Sequence, residues 1–240
     1  EPHGEVRIPG TPTPPTMKIH PPTPRVPSLS LKSRALLSAC VCPLLLICGQ
    51  ASAQRTLADS AAEFSGIQGQ EDWYYGYRNL TLDGGGNDYD PENDFIAFPV
   101  DGTNFGSDTN AWNGTIFDFF DAGGNTTNPP WTTLGVESSH PNGTNQDEIH
   151  WTVRRWTATE DDLTDPTLLQ VEWFISKTAG NTNGQGVTAQ IHLNGTMVGK
   201  TTIAGDDTTG ITKTVFVTAD VGDHIDLVHT SEGPGGNTAD

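Results

Sequence analysis

Short runs in which apolar and polar residues alternate are the feature of this chain that most restricts its fold. Two such runs have apolar side chains at every second position, namely Leu169, Val171, Trp173, Ile175, Val187, Ala189, Ile191 and Leu193. A period of two is that of a β-strand with one buried face. Glycine, proline, asparagine and threonine recur between the runs, and helix signals are almost absent. We therefore expect an all-β chain, an antiparallel β-sandwich, with these eight side chains facing inward on neighbouring strands.

Further strands follow from the same pattern. Asn194 and Gly195 form a dipeptide that tolerates the positive φ angles of a two-residue turn, so we expect a hairpin between residues 187–193 and 196–203. Trp73, Tyr75 and Tyr77 share one face of another strand. Residues 94–99, 115–120, 211–218 and 224–229 are the other strand candidates.

The stretch 138–156 joins a polar loop to a strand. Pro141, Asn142 and Gly143 predict a loop that displays polar groups. Ile149, Trp151 and Val153 then alternate with polar residues, which predicts a strand whose apolar face, including Trp151, lies in the core.

The N-terminal quarter predicts export. Basic residues from Lys18 onward precede the apolar run 35–48 and the small residues Ala51 and Ala53, the order of a secretory signal cut after Ala53. A retained N-terminal anchor is the alternative. The expected organisation is an upstream or disordered Pro-rich extension (1–16), a signal peptide (17–53), a linker (54–62) and a sandwich (63–240). All three cysteines lie before residue 54, so the mature domain has no disulfide.

The composition disfavours two classes of partner. Twelve basic and 30 acidic residues give a formal net charge of -18. Nucleic acids and anionic lipid surfaces are bound by clustered lysine and arginine, so neither is an expected partner, and no membrane contact is expected once the signal is cut.

A succession of short motifs resembles a known kind of module. The motifs are Phe64-Ser65 with Gln68-Gly69, residues 73–77, His140-Pro141, residues 153–156, residues 184–187, Asn194-Gly195 and residues 221–225. In this order they resemble the jelly-roll, carbohydrate-binding-like modules of exported planctomycete and verrucomicrobial proteins. The resemblance implies a secreted or cell-surface sandwich without established catalytic residues. It also implies a last strand after Asp240, so we expect the sandwich to lack that strand.

A loop rich in carboxylates is a candidate calcium site. Asp88, Asp90, Glu92 and Asp94 offer hard oxygen ligands at alternate positions, and calcium takes six to eight such oxygens in flexible geometry. A solvated loop without an ion is the alternative.

Candidate sugar-binding residues lie mostly in loops. Pyranose rings stack on aromatic faces and their hydroxyls bond to polar side chains. The candidates are Trp112, Trp131, Tyr74, His140, Asn142 and Arg154. One of Arg154 and Arg155 is also expected to pair with a buried or loop carboxylate.

Enzyme motifs are mostly missing from the sequence. GxSxG, HExxH and phosphate-loop patterns do not occur. Gln190-Ile191-His192 resembles one strand of alginate-lyase jelly rolls, whose other motifs are not matched. We therefore expect a non-catalytic module that binds extracellular polysaccharide. The alternatives are a structural or surface-display envelope protein and, ranked after it, a polysaccharide lyase. The sequence does not give the oligomeric state.

The order of basic, apolar and small residues from Lys18 to Ala53 predicts that the secreted form begins at Gln54. N-terminal sequencing or intact-mass analysis of exported protein checks this. An exported chain that still contains Cys48 would contradict it.

Overall fold

The computed structural model describes residues 17–20, 55–84, 88–100, 110–119, 130–144, 148–178 and 184–236. The predicted cleavage site after Ala53 and the C-terminal residue Asp240 lie outside them. The described residues form β-strands and no helix, which confirms the all-β prediction, and they contain no helix that could cross a membrane. The strands are β1 (Met17–His20), β2 (Ala58–Asp59), β3 (Trp73–Asn79), β4 (Ile96–Ala97), β5 (Phe117–Asp118), β6 (Thr133–Leu134), β7 (Ser139–His140), β8 (His150–Thr157), β9 (Thr167–Ile175), β10 (Gly186–Leu193), β11 (Thr196–Ala204), β12 (Ile211–Ala219) and β13 (His224–Thr230).

The strands form antiparallel sheets that share one core. Six of them pair in the order β11-β10-β13-β8-β3-β4, and four pair in the order β12-β9-β1-β2. Short strands β5, β6 and β7 make a small third sheet. Residues of all three sheets, such as Trp156, Val171 and Leu134, belong to one buried hydrophobic cluster. This is the antiparallel sandwich that the alternating pattern predicts.

The inward face of β9 and β10 is as predicted, but their placement is not. Seven of the eight predicted core side chains are buried, and Leu193 is half-buried against the same cluster. The two strands lie in opposite sheets rather than side by side, because β10 pairs with β11 through the Asn194-Gly195 turn and with β13 on its other edge. Asn194 and Gly195 have φ angles of 47° and 80°, as the predicted hairpin turn requires. A period of two fixes which face is buried and leaves the neighbouring strand undetermined.

Strand β8 faces the opposite way from the prediction. It pairs with β3 so that Trp156 lies opposite Trp73 and Arg154 opposite Tyr75, and these residues point into the core. Trp151 and Val153 point outward, where Val153 is covered by Tyr89 and Phe95. Both belong to the carboxylate-rich segment 88–95, which we call the acidic loop. The apolar face of β8 is therefore buried under a loop and not in the main core. The sequence pattern alone does not tell whether an apolar face is covered by a facing sheet or by a loop.

Strand β1 comes from the segment assigned above to the signal peptide. It lies between β9 and β2 in the four-stranded sheet, and its Met17 and Ile19 side chains are fully buried. At the other end of the same sheet lies β12, a nine-residue strand on which Lys213 and Phe216 are exposed.

Trp173 joins the two large sheets. Its side chain is 2% exposed, and a Cβ on Gly199 of β11 would lie 2.8 Å from its ring. The six-carbon ring of Trp173 therefore packs directly on the backbone of the facing sheet, and any side chain at position 199 would displace it.

Replacing Trp173 with alanine should lower the free energy of unfolding by about 3–5 kcal/mol, because it empties a large volume at the centre of the core. Trp131→Ala is a matched control, since Trp131 is 45% exposed and its loss should cost no more than about 0.5 kcal/mol. Urea denaturation of both variants measures the difference. Equal losses would mean that the core is placed elsewhere.

Candidate ligand-binding groove

The outer face of the six-stranded sheet carries a buried ion pair. Arg155 of β8 donates from Nε to Oδ1 of Asp226 at 2.8 Å and from Nη2 to Oδ2 at 2.9 Å. Asp226 lies on the neighbouring strand β13, directly opposite Arg155. Both side chains are buried, and each neutralises the charge of the other. Without its partner, either charge would carry a large desolvation cost. The prediction that one of the two adjacent arginines pairs with a buried carboxylate is confirmed.

The ion pair fixes the acidic loop against the sheet. The Tyr89 hydroxyl donates to Oδ2 of Asp226 at 2.8 Å, and Arg155 Nη2 donates to the Pro91 carbonyl at 3.0 Å. Burial, and then the charge of Asp226, raises the pKa of Tyr89. Phe95 covers the Arg155 guanidinium, whose carbon lies 4.1 Å from the ring centroid. The loop is therefore anchored by several independent contacts.

Arg78 organises the start of the loop. Its side chain is 1% exposed and donates from Nε to Oδ2 of Asp83 at 2.8 Å. Nη2 donates to the Asp88 carbonyl at 3.1 Å and lies 3.4 Å from Oδ2 of Asp94. The guanidinium also lies over Trp151, 5.3 Å from the ring centroid, within the range of a cation–π contact.

Two of the four carboxylates predicted to bind calcium, those of Asp90 and Asp94, make contacts within the protein. Asp94 is close to Arg78 and accepts from the Asp90 backbone N–H at 2.8 Å. Asp90 accepts from the Glu92 backbone N–H and from the Asn93 side chain. Among the residues that the structure describes, no group of three or more His, Cys, Asp or Glu is arranged to hold a metal ion. Calcium binding by Asp88, Asp90, Glu92 and Asp94 stays a prediction.

Between this loop and the β10–β11 hairpin lies a groove of about 870 Å³. On the loop side it is lined by Asp88 and Asp90, and on the floor by Arg78 and Trp151. The opposite side consists of residues of the hairpin together with Glu232, which follows β13, namely Gln190, His192, Asn194, Met197, Lys200 and Glu232. We call this feature the sheet groove.

One end of the sheet groove is closed by a tight contact. A Cβ on Gly195 would lie 2.6 Å from the Tyr89 carbonyl oxygen and 2.7 Å from Cδ of Pro91. The hairpin turn and the acidic loop therefore touch through a glycine, and the width of the groove depends on this absence of a side chain.

His192 and Gln190 form a linked pair on β10. His192 Nδ1 lies 2.9 Å from the Gly195 carbonyl, which only accepts, so this nitrogen carries the proton. Nε2 lies 2.9 Å from Oε1 of Gln190, an oxygen that also only accepts, so the neutral ring accepts a hydrogen bond here only when the Gln190 amide is turned to face it with its NH2 group. Burial lowers the pKa of His192, which keeps the imidazole neutral. Both ring nitrogens are thus occupied within the protein.

Three of the predicted sugar-binding residues are accessible but lie outside the sheet groove. Trp131 and Tyr74 are 45% and 37% exposed, and His140 is exposed as well. Trp131 and His140 belong to the region of β6 and β7, whereas Tyr74 lies on β3 beside Gly69. The structure does not bring the three together.

The other three are held in the interior. Trp112 is half-buried against Phe117, with ring centroids 5.0 Å apart. Asn142 is fully buried and accepts from the Trp131 backbone N–H at 3.0 Å. Arg154 is buried beneath the small sheet, and its guanidinium donates to the carbonyls of Ser60 and Gly135. Their described contacts are with the protein itself.

The groove residues left few signals in the sequence. The alternating pattern predicts that Trp151 lies in the core, and only the Gln190 and His192 motif draws attention to the outward face of β10. A loop that folds back over a sheet brings together residues far apart in the chain, such as Tyr89 and Asp226. The period-two pattern carries no information about such a fold-back.

Comparisons with known proteins give no relative: no family model, no curated protein and no solved structure matches the chain.

A small, mostly apolar cavity of about 20 Å³ lies on the other face of the six-stranded sheet. It is lined by Ser139, Arg154 and His229, among others, and the Ser139 hydroxyl contacts His229 Nδ1. Burial lowers the pKa of His229 to about 3, and the positive charges of His140, Lys177 and Arg154 act in the same direction. His229 is therefore neutral in the folded protein at any ordinary pH.

This gives a prediction for acid stability. In the unfolded chain His229 takes up a proton near its ordinary pKa of about 6.5, whereas the folded protein resists protonation until about pH 3. The unfolded state binds more protons between these values, so stability is lost as the pH falls through this window. In His229→Gln the decline in unfolding free energy from pH 7 to pH 4 should be shallower than in the wild type. Urea denaturation at several pH values measures it, and identical slopes would refute the assignment.

Proposed function

We propose that this protein is a non-catalytic binding module that holds an extracellular polysaccharide in the sheet groove. The observation that carries the proposal is the combination, in one groove, of an aromatic floor at Trp151 with the ammonium group of Lys200 and the exposed carboxylates of Asp88 and Asp90. An aromatic surface flanked by a few convergent polar groups is what a sugar chain requires.

The anchoring of the groove walls supports binding. Arg155 and Asp226 hold the acidic loop on one side, and the Asn194-Gly195 turn fixes the hairpin on the other. A site whose walls are already ordered loses less conformational entropy when the ligand binds. The resemblance to carbohydrate-binding-like modules and the predicted secretory signal support the same proposal.

The charges of the groove favour a neutral polysaccharide. Its two cations are already paired, Arg78 with Asp83 at 2.8 Å and Lys200 with Glu232 at 3.0 Å. Asp88 and Asp90 add negative charge to the lining, and the chain as a whole carries a net charge of -18. A polyanion would be repelled by this field, whereas hydroxyl groups can bond to the same side chains without displacing the ion pairs.

The contacts of the groove favour binding over lyase chemistry. A lyase needs a side chain within reach of the proton that it removes. His192 has both ring nitrogens engaged by Gly195 and Gln190, and the Tyr89 hydroxyl is engaged by Asp226 and Arg155. We therefore place binding before catalysis.

Glycan-array screening of the purified protein, followed by calorimetric titration of the bound glycans, tests the proposal. Trp151→Ala should weaken binding of a neutral glycan at least tenfold, a loss of about 1.4 kcal/mol, because it removes the aromatic floor. Met197→Ala should give a smaller loss, since Met197 lines the groove but is exposed at its margin.

Trp131→Ala is the control, because this exposed tryptophan lies outside the groove. Its affinity should equal that of the wild type, and the melting temperatures of all variants confirm that each is folded. If Trp131→Ala weakens binding while Trp151→Ala does not, the ligand lies on the β6–β7 loops instead. Absence of binding to any neutral glycan would contradict the proposal.

A further inference from the structure

We propose that the gap between β9 and β2 is a strand-acceptor site, specific for an extended peptide of the pattern apolar–basic–apolar. Met17–His20 occupies the site in this structure, and a peptide of this pattern from another chain can take its place. The inference concerns the four-stranded sheet and is independent of the sheet groove.

The backbone of the site is built to receive a strand. Met17 lies opposite Trp173 of β9, and Ile19 opposite Val171, in antiparallel register. On the other side the Leu57 N–H donates to the Ile19 carbonyl at 2.9 Å and the Ser60 N–H to the Met17 carbonyl at 3.0 Å. The Met17 N–H in turn donates to Ser60 Oγ at 3.0 Å. The inserted segment is bonded along both edges.

The side chains of the site select the pattern. Met17 and Ile19 point into the core and have no exposed surface, so the site provides two apolar pockets at alternate positions. Lys18 points outward between them, with Nζ 3.0 Å from Oδ2 of Asp59 on one flank and with Glu172 opposite it on the other. Two carboxylates therefore flank the middle residue, which favours a cation there. In strand addition, backbone bonds supply affinity and alternate side-chain pockets supply specificity.

The occupant is joined to the site by a long connection. Between His20 and Arg55 the chain has 34 residues, enough to span about 110 Å when fully extended. A four-residue strand joined in this way is a tethered ligand, and its occupancy depends on an effective concentration that falls as the connection lengthens. The cleavage predicted after Ala53 falls within this connection and would separate the occupant from the site. An emptied site would expose the edge of β9 and two apolar pockets. The unpaired N–H and C=O groups of that edge would then be free to pair with another strand.

The test uses the full chain and a fluorescein-labelled peptide, Thr-Met-Lys-Ile-His, which has the sequence of residues 16–20. Met17→Asp/Ile19→Asp in the full chain empties the site, because carboxylates cannot enter the two apolar pockets. Fluorescence anisotropy should show the peptide binding this variant at least tenfold more tightly than the wild type, in which the tethered segment competes. Hydrogen exchange should show that the peptide restores protection to the amides of residues 170–173.

A peptide of the same composition, Thr-Met-Ile-Lys-His, is the matched control. Its apolar residues are adjacent, so they cannot both point into the core, and it should bind at least tenfold more weakly. A folded variant that binds neither peptide, or both equally, overturns the proposal. So does a dimer of the variant that excess matched peptide fails to dissociate, because the edge would then be taken by a second copy.

The aspartate variant lacks two core side chains and could lose its fold. Recovery of its thermal unfolding transition on addition of the matched peptide, and not of the control, then supports the proposal. If neither peptide restores the transition, Met17→Ala/Ile19→Ala decides the question. A failure of this milder variant to bind the matched peptide more tightly than the wild type overturns the proposal.

Discussion

Two adjacent arginines on one strand, and the need to give each buried cation its partners, determine much of this structure. Successive side chains of β8 point to opposite faces of the sheet, so Arg154 enters the interior and Arg155 lies on the outer face. Arg154 is surrounded by backbone carbonyls of Ser60, Gly135 and Ser138. Burial lowers its pKa to about 10, which still leaves it charged at neutral pH. The β6–β7 turn of the small sheet and the turn after β2 must therefore converge on this point.

Arg155 has the corresponding effect on the other face. Its carboxylate partner Asp226 comes from the neighbouring strand, and its remaining contacts, Tyr89 and Pro91, come from the acidic loop. A loop with a high density of carboxylates is thereby held flat against a sheet, with Arg78 compensating charge at its start. The sheet groove exists because the loop is fixed along one side and the β10–β11 hairpin stands opposite. Breaking either arginine pair would leave an uncompensated buried charge, which is more costly than the pair itself is stabilising.

The sequence predicts strands and faces well where one side of a strand meets the main core. The alternation in β9 and β10 and the Asn194-Gly195 turn are examples, because a local pattern determines each of them. It fails for β8, whose inward face carries the polar residues His150, Thr152 and Arg154. His150 bonds to Thr132 and Arg154 to the Ser60 carbonyl, and both partners are distant in the chain. The sequence does not predict the candidate site for the same reason: its pattern places Trp151 in the core, and only the fold-back of the loop brings Tyr89 beside Asp226. The sequence predicts that loop residues such as Trp112 and Asn142 are exposed. In the structure Trp112 packs on Phe117, and Asn142 is buried and accepts a hydrogen bond from the Trp131 backbone.

Strand β12 at the end of the four-stranded sheet has a consequence for colloidal behaviour. Lys213 lies opposite Trp173 in the register, so it projects from the core-facing side of an edge strand. A charge in that position opposes the docking of a second sheet edge, as does the mutual repulsion of chains with a net charge of -18. Near the isoelectric point of about 4.5 the net-charge repulsion between chains vanishes. Lys213 is then the one charge on the nine-residue strand β12 that opposes pairing along its edge. We therefore expect self-association through β12 to increase as the pH falls toward this value.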